Sequence, residues 1–181
     1  MKHANNLRLL AVTALFTAVI AVMSQISIPL PYGVPLTLQT FSVALCGYVL
    51  GKKYSVIAVA VYLTAGLIGA PVFANFTSGP AVFASNAGGF LYGFLIAAFF
   101  CGIGSSYEKL GYAVIFGVIG IVMCHVPGVI WFAYATGASI MRSFILASLP
   151  FLLKDIASAV IACFIGRKLR SALAAKVDFS F

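Results

Sequence analysis

Residues 110–135 read LGYAVIFGVIGIVMCHVPGVIWFAYA, a run without a single Lys, Arg, Asp or Glu and with one histidine, His125. At about 1.5 Å of rise per residue, a helix of this length crosses the roughly 30 Å hydrocarbon layer of a bilayer. Inside that layer every backbone N–H and C=O must be satisfied within the protein, which for such a stretch means an α-helix. Outward from it lie five more apolar stretches, at 7–26, 37–51, 54–70, 87–105 and 144–166. The composition agrees: 63% apolar and 8% charged residues, with a mean hydropathy of +1.14, cannot give 181 residues a water-soluble surface. The expected architecture is an all-α integral membrane protein of six transmembrane helices. These form a single domain over 1–181, with the lipid bilayer as their surroundings.

The cations orient this bundle. Of eleven Lys and Arg, nine (Lys2, Arg8, Lys52, Lys53, Lys109, Arg167, Lys168, Arg170 and Lys176) fall on one side once the chain is threaded through six spans. Arg142 falls on the other side, and Lys154 lies within a span. Short loops keep Lys and Arg in the cytoplasm, so the N and C termini are expected there, in a multi-pass protein of the cell membrane. The net charge of +8 forms no stripe with interleaved aromatics, so no nucleic acid partner is expected. Cys46, Cys101, Cys124 and Cys163 sit singly in apolar runs, without a CxxC pair, and read as small packing residues. The 7–26 stretch is too long for a typical signal-peptide core, and Met23 spoils the nearest cleavage site, so it reads as a retained first span.

Between the spans, three prolines within seven residues, Pro29, Pro31 and Pro35, rule out a helix and predict a stiff extended loop on the outside. Gly51-Lys52-Lys53 predicts a tight inner turn. Residues 71–86 mix Phe73, Phe76 and Phe83 with Asn75, Gly79 and Pro80. An apolar but breaker-rich segment gains nothing from water, so a partly re-entrant cap between helices 3 and 4 is expected. Glycines crowd the fourth and fifth spans (Gly88, Gly89, Gly93, Gly102, Gly104, Gly111, Gly117, Gly120), which predicts close helix packing there.

Polar groups at membrane depth need reasons. Lys154 and Asp155 each cost on the order of 3 kcal/mol at mid-membrane, so they should face the bundle interior or a cavity. They could neutralise each other. Adjacent helical residues point about 100° apart, however, so the reading favours separate partners and a ligand site. Asn86 opens the fourth span, as an N-cap or as a ligand contact. The amide of Gln39, below the proline loop, suits an amide-like or urea-like ligand or an interhelical hydrogen bond. His125, beside Pro127, is expected to bond a carbonyl freed by the proline. Trp131 and Tyr134 read as interface aromatics or pocket walls. Glu108, Asp155 and Asp178 are the only acids and just one lies in a span, so neither a paired-carboxylate site nor a metal site can be assembled there, and no enzyme is expected.

The runs Ile28-Pro29-Leu30-Pro31 and Val34-Pro35-Leu36-Thr37-Leu38-Gln39-Thr40-Phe41 resemble the signature of the BioY family, the biotin-binding S components of energy-coupling factor (ECF) transporters. Similar matches follow in order: Tyr62-Leu63, Gly66 to Phe73, Gly88-Gly89-Phe90 with Gly93-Phe94, and Pro150-Phe151 with Asp155. The resemblance implies six helices that capture biotin from outside, with a transmembrane T subunit and two cytoplasmic ATPases as partners and no cofactor. Its Ala-x-x-x-Ala pattern for T-subunit contact is matched by Ala14 and Ala18. The family typically has Gly before the last-helix Asp and Lys three residues after it. This chain has Lys154 and Ser158 instead, so the resemblance does not assign the ligand's cation.

Biotin carries two ureido N–H donors, a carbonyl, an apolar sulfur ring and a carboxylate tail. The matching assignment gives Asp155 to a ureido N–H, Asn86 and Gln39 to amide contacts, Lys154 to an oxygen, and Phe73, Tyr92 and Trp131 to the apolar walls. The competing readings are an S component for riboflavin or thiamin, a small intramembrane enzyme, and a purely structural membrane subunit.

Overall fold

The computed structural model describes the backbone of residues 2–30 and 33–179, with side chains from Asn5 onward among them. Pro31 of the proline loop and the side chain of Lys2 lie outside the described residues. The chain is helical, with helix α1 over Lys2–Ser24, α2 over Gln39–Leu67, α3 over Pro80–Ala84, α4 over Gly88–Gly104, α5 over Leu110–Thr136, α6 over Ile140–Ala147 and α7 over Leu149–Ala174. Among the described residues, four helices are long and apolar enough to cross a membrane: Asn5–Ser24, Gln39–Leu67, Leu110–Thr136 and Leu149–Ala174. α4 is apolar but shorter.

α2 contains two of the expected spans. At Gly51 the backbone leaves the helix with φ 75 and ψ 174, a conformation that strains any side chain. Gln39 Nε2 donates to Tyr62 Oη at 2.7 Å, although an unbroken helix would hold those residues about 34 Å apart. The two arms therefore run back along each other, with Gly51 as the bend. This hairpin is the centre of the protein, packed against α1, α4 and α7. Tyr48, Tyr62, Val43, Val49 and Val59 are fully buried in it. Tyr48 donates its hydroxyl proton to Ala113 O at 2.9 Å, satisfying the one polar atom that this ring carries into the core.

The glycine-rich packing is present. A Cβ on Gly89 would lie 2.3 Å from Pro127 O, and one on Gly93 would lie 2.4 Å from Cys124 O, so α4 meets the backbone of α5 directly. α5 stops at Gly137, which takes the left-handed conformation that closes a helix. The four cysteines are buried free thiols.

The last span departs from its expected bounds of 144–166. The chain breaks at Ser148, between α6 and α7, and α7 runs on to Ala174. Pro150 explains the break: it has no N–H to give a preceding carbonyl, and it fits only the first turn of a new helix. The described ends of the proline loop pair with each other. Strand β1 (Ser27–Ile28) pairs antiparallel with β2 (Leu36–Thr37), holding the ends of the loop together.

Residues 72–79 fold over the end of the α2 hairpin. Gly79 N donates to Gly66 O at 2.7 Å, and Phe73 is buried edge-on against Tyr62. Gln25 pins the segment by donating to the carbonyls of Val72 and Phe73 and accepting from Phe76 N. At the opposite end, Asn5 and Asp178 exchange two hydrogen bonds and Arg8 donates to Lys176 O, so the two ends of the chain meet.

Candidate functional site

Three helix starts converge away from the chain termini: Gln39 and Thr40 of α2, Phe90 and Leu91 of α4, and Phe151, Lys154 and Asp155 of α7. His125 and Cys124 enter from the middle of α5, and Val34, Pro35 and Thr37 cross over from the loop. Together they enclose an inner niche of about 60 Å³. A hollow of about 660 Å³ adjoins it, lined by Pro29, Gly33, Phe73, Phe76, Val82 and Ser85 among others, and shares Pro35, Gln39, Ala87 and Leu91 with the niche. The niche alone is smaller than a vitamin-sized site, whereas niche and hollow together reach the usual range.

The ionic groups of the niche form one cluster. Asp155 is 5% exposed. Its Oδ1 pairs with the Lys154 ammonium, and its Oδ2 stands 3.3 Å from His125 Nε2. Lys154 Nζ also donates to Thr37 O at 2.8 Å, tying α7 to β2. This corrects the expectation that the adjacent charges would diverge. Their Cα–Cβ bonds do diverge, but the long Lys stem bends the ammonium back over its neighbour. The pair is not sealed in a dry seam, because both residues line the niche. Beyond the ammonium, Asp155 Oδ1 accepts no hydrogen bond of regular geometry, so it keeps acceptor capacity.

His125 is the residue whose company the sequence reading missed. Instead of a carbonyl freed by Pro127, it finds Ser148 Oγ at 2.8 Å from Nδ1 and Asp155 from Nε2. The signal was present in the sequence: two ionisable residues in separate spans of one bundle seek each other at membrane depth.

Gln39 and Phe73 line the cavities. Gln39 bounds both the niche and the hollow, and Phe73 walls the hollow. Asn86 does not cap α4. The cap position is Ala87, whose N–H donates to Ser85 Oγ, while the Asn86 side chain lies over Gly33 of the proline loop. Tyr92 and Trp131 line neither cavity. Tyr92 is 46% exposed, and Trp131 meets it edge-on and donates its indole N–H to Ser85 O at 2.9 Å. Helices that are apolar on all sides carry no stripe to show which aromatics turn inward. Ala14 and Ala18 lie on the exposed face of α1, with Leu10, Leu15 and Val22. No cluster of three or more metal-ligating side chains occurs among the described residues.

The arrangement can hold a small molecule with hydrogen-bond donors and an acceptor at one end, set against apolar walls, with its remainder in the wider hollow. The BioY family model matches residues 1–175. The biotin transporter BioY of Thermotoga maritima is 38% identical over 165 residues, 91% of this chain and 96% of its own. Biotin transporter BioY2 of Lactococcus lactis subsp. cremoris is 35% identical over 166 residues, 91% of each chain. Among solved structures, the S-component for biotin from an ECF-type ABC transporter, a crystal structure at 2.1 Å, is similar with a TM-score of 0.84 and 27% identity over 92% of either chain. The chain belongs to the BioY family.

Proposed function

We propose that this protein is the membrane-embedded S component of a biotin uptake system, which binds biotin from outside and passes it inward; it is a transporter component, not an enzyme. The observation that carries the reading is the niche itself: Gln39, Lys154, Asp155 and His125 converge at membrane depth beside a hollow large enough for the rest of the ligand. Polar groups are expensive there and are kept where they meet a cargo. The ureido N–H groups match Asp155 and the Gln39 carbonyl oxygen, and the ureido carbonyl matches a donor such as Lys154. Phe90, Leu91 and Phe73 suit the sulfur ring and tail, and Asn86 reaches the ligand once the proline loop closes over it.

Titrating labelled biotin onto purified wild type, Asp155→Asn and Lys154→Ala tests the site. Tight binding by the wild type and loss in both variants are expected, and unchanged affinity in both refutes it. Competition with riboflavin and thiamin separates the other vitamins, which should not displace the label.

The finer topology in this proposal is six membrane-crossing helices, the two arms of α2 counting separately, with both termini cytoplasmic. It is supported by the reversal at Gly51, by the meeting of the chain ends, and by the Lys and Arg gathered at that end. The burial of Phe73 supports residues 71–86 as a partly re-entrant cap, and the whole chain reads as one substrate-binding domain of the cell membrane. The partners are a T subunit and two cytoplasmic ATPases, which supply the energy that this chain has no motif to generate. The exposed small-residue patch at Ala14 and Ala18 supports docking of the T subunit. Trp at either position should stop uptake and spare binding; retained uptake would remove the patch from the proposal.

A further inference from the structure

We propose that His125 is a positioning residue for biotin: held by Ser148, it fixes the orientation of Asp155 so that the free acceptor capacity of the carboxylate faces the niche. The proposal rests on the biotin reading above. A carboxylate has no hydrogen to give, so across the 3.3 Å separation the proton lies on His125 Nε2. In the neutral ring Nδ1 then accepts, and the Ser148 hydroxyl at 2.8 Å is the group that donates to it. The chain Ser148 to His125 to Asp155 sets both the tautomer and the ring plane.

Three further features confine the imidazole to this task. Its edge packs against Phe90, with ring centroids 5.4 Å apart and planes at 86°, so the ring cannot swing freely. On its other side lies a largely apolar groove between α5 and α6, walled by Val126, Val129, Ile130 and Phe144, in which Ser148 is the polar side chain offered to the ring nitrogens. Ser148 stands where Pro150 breaks α6 from α7, so the break that spoils a continuous last span also delivers the hydroxyl to the histidine. Without His125, Asp155 Oδ2 loses its partner and the carboxylate can turn wholly onto Lys154. The acceptor meant for a ureido N–H is then spent on a self-neutralised pair.

The test is labelled-biotin titration on full-length protein in lipid nanodiscs, for wild type, H125L, H125Q, S148A, D155N and the double variant H125L/D155N. His125→Leu should weaken binding about ten- to hundredfold. His125→Gln, whose amide N–H takes the place of Nε2–H, should stay within about threefold of wild type. Ser148→Ala should lose severalfold. If His125 acts through Asp155, the double variant binds no more weakly than D155N alone. A histidine that merely fills space would give losses that multiply, and that result overturns the proposal, as does wild-type affinity in H125L. If H125L does not fold, S148A alone and combined with D155N decides by the same rule, and wild-type affinity in S148A overturns the proposal. Wild-type protein that does not bind biotin, or D155N with unchanged affinity, removes the biotin reading and this inference with it. Tight wild-type binding, weak D155N and unaltered H125L remove only the role of His125.

Discussion

The two ends of α7 carry ionic groups to opposite effect. Toward the chain termini, Arg167 donates to the carbonyls of Tyr107 and Glu108 at 2.7 and 2.6 Å, and Arg170 donates to Val49 O at 2.9 Å and lies over the Phe179 ring. Those guanidinium groups are occupied by backbone, and they fasten the α4–α5 loop and the α2 bend to α7. At the other end, Lys154, Asp155 and His125 lean on one another around a void, with acceptor capacity left over. Guanidinium groups fixed to backbone hold structure and Lys154 shares that task through Thr37 O, whereas a carboxylate held between Lys154 and His125 beside a cavity is available to a guest.

The largest effect should come from Asp155→Ala. It leaves the Lys154 ammonium and His125 without their common partner and should reduce biotin affinity more than a hundredfold, on the order of 3 kcal/mol or more, read by ligand titration. Gln39→Leu removes an amide shared by both cavities and its bond to Tyr62, and should weaken binding about tenfold. Arg170→Gln sharpens the contrast from the other end. It should lower stability by about 1 to 2 kcal/mol in a denaturant melt and leave biotin affinity unchanged. A fall in affinity there would merge the two ends functionally. The smallest change is expected from Tyr92→Leu, which touches neither cavity and should shift the dissociation constant less than about twofold.

Membrane character, the tight reversal at Gly51 and the close approach of α4 to α5 were legible because each depends on a local property: apolar length, a residue tolerant of positive φ, or the absence of a side chain. Lys154, Asp155 and Gln39 were legible because a polar group in lipid stands out against its background. Their mutual arrangement was not. Whether a Lys stem bends back, whether His125 meets Ser148, and whether Tyr92 or Phe90 turns inward depend on how separate helices are rotated against each other. Sequences that are apolar around their whole circumference do not encode that rotation as a stripe. The break at Ser148 could have been taken from Pro150, since a proline inside the 144–166 stretch starts a new helix more readily than it continues one.

The four native thiols are all enclosed by the bundle. A water-borne maleimide therefore has no ready target on the unmodified protein, and a cysteine placed at exposed Phe76, on the rim of the hollow, would be the one site of labelling. A dye attached there would report on the rim as cargo arrives, with the wild-type thiols left in place.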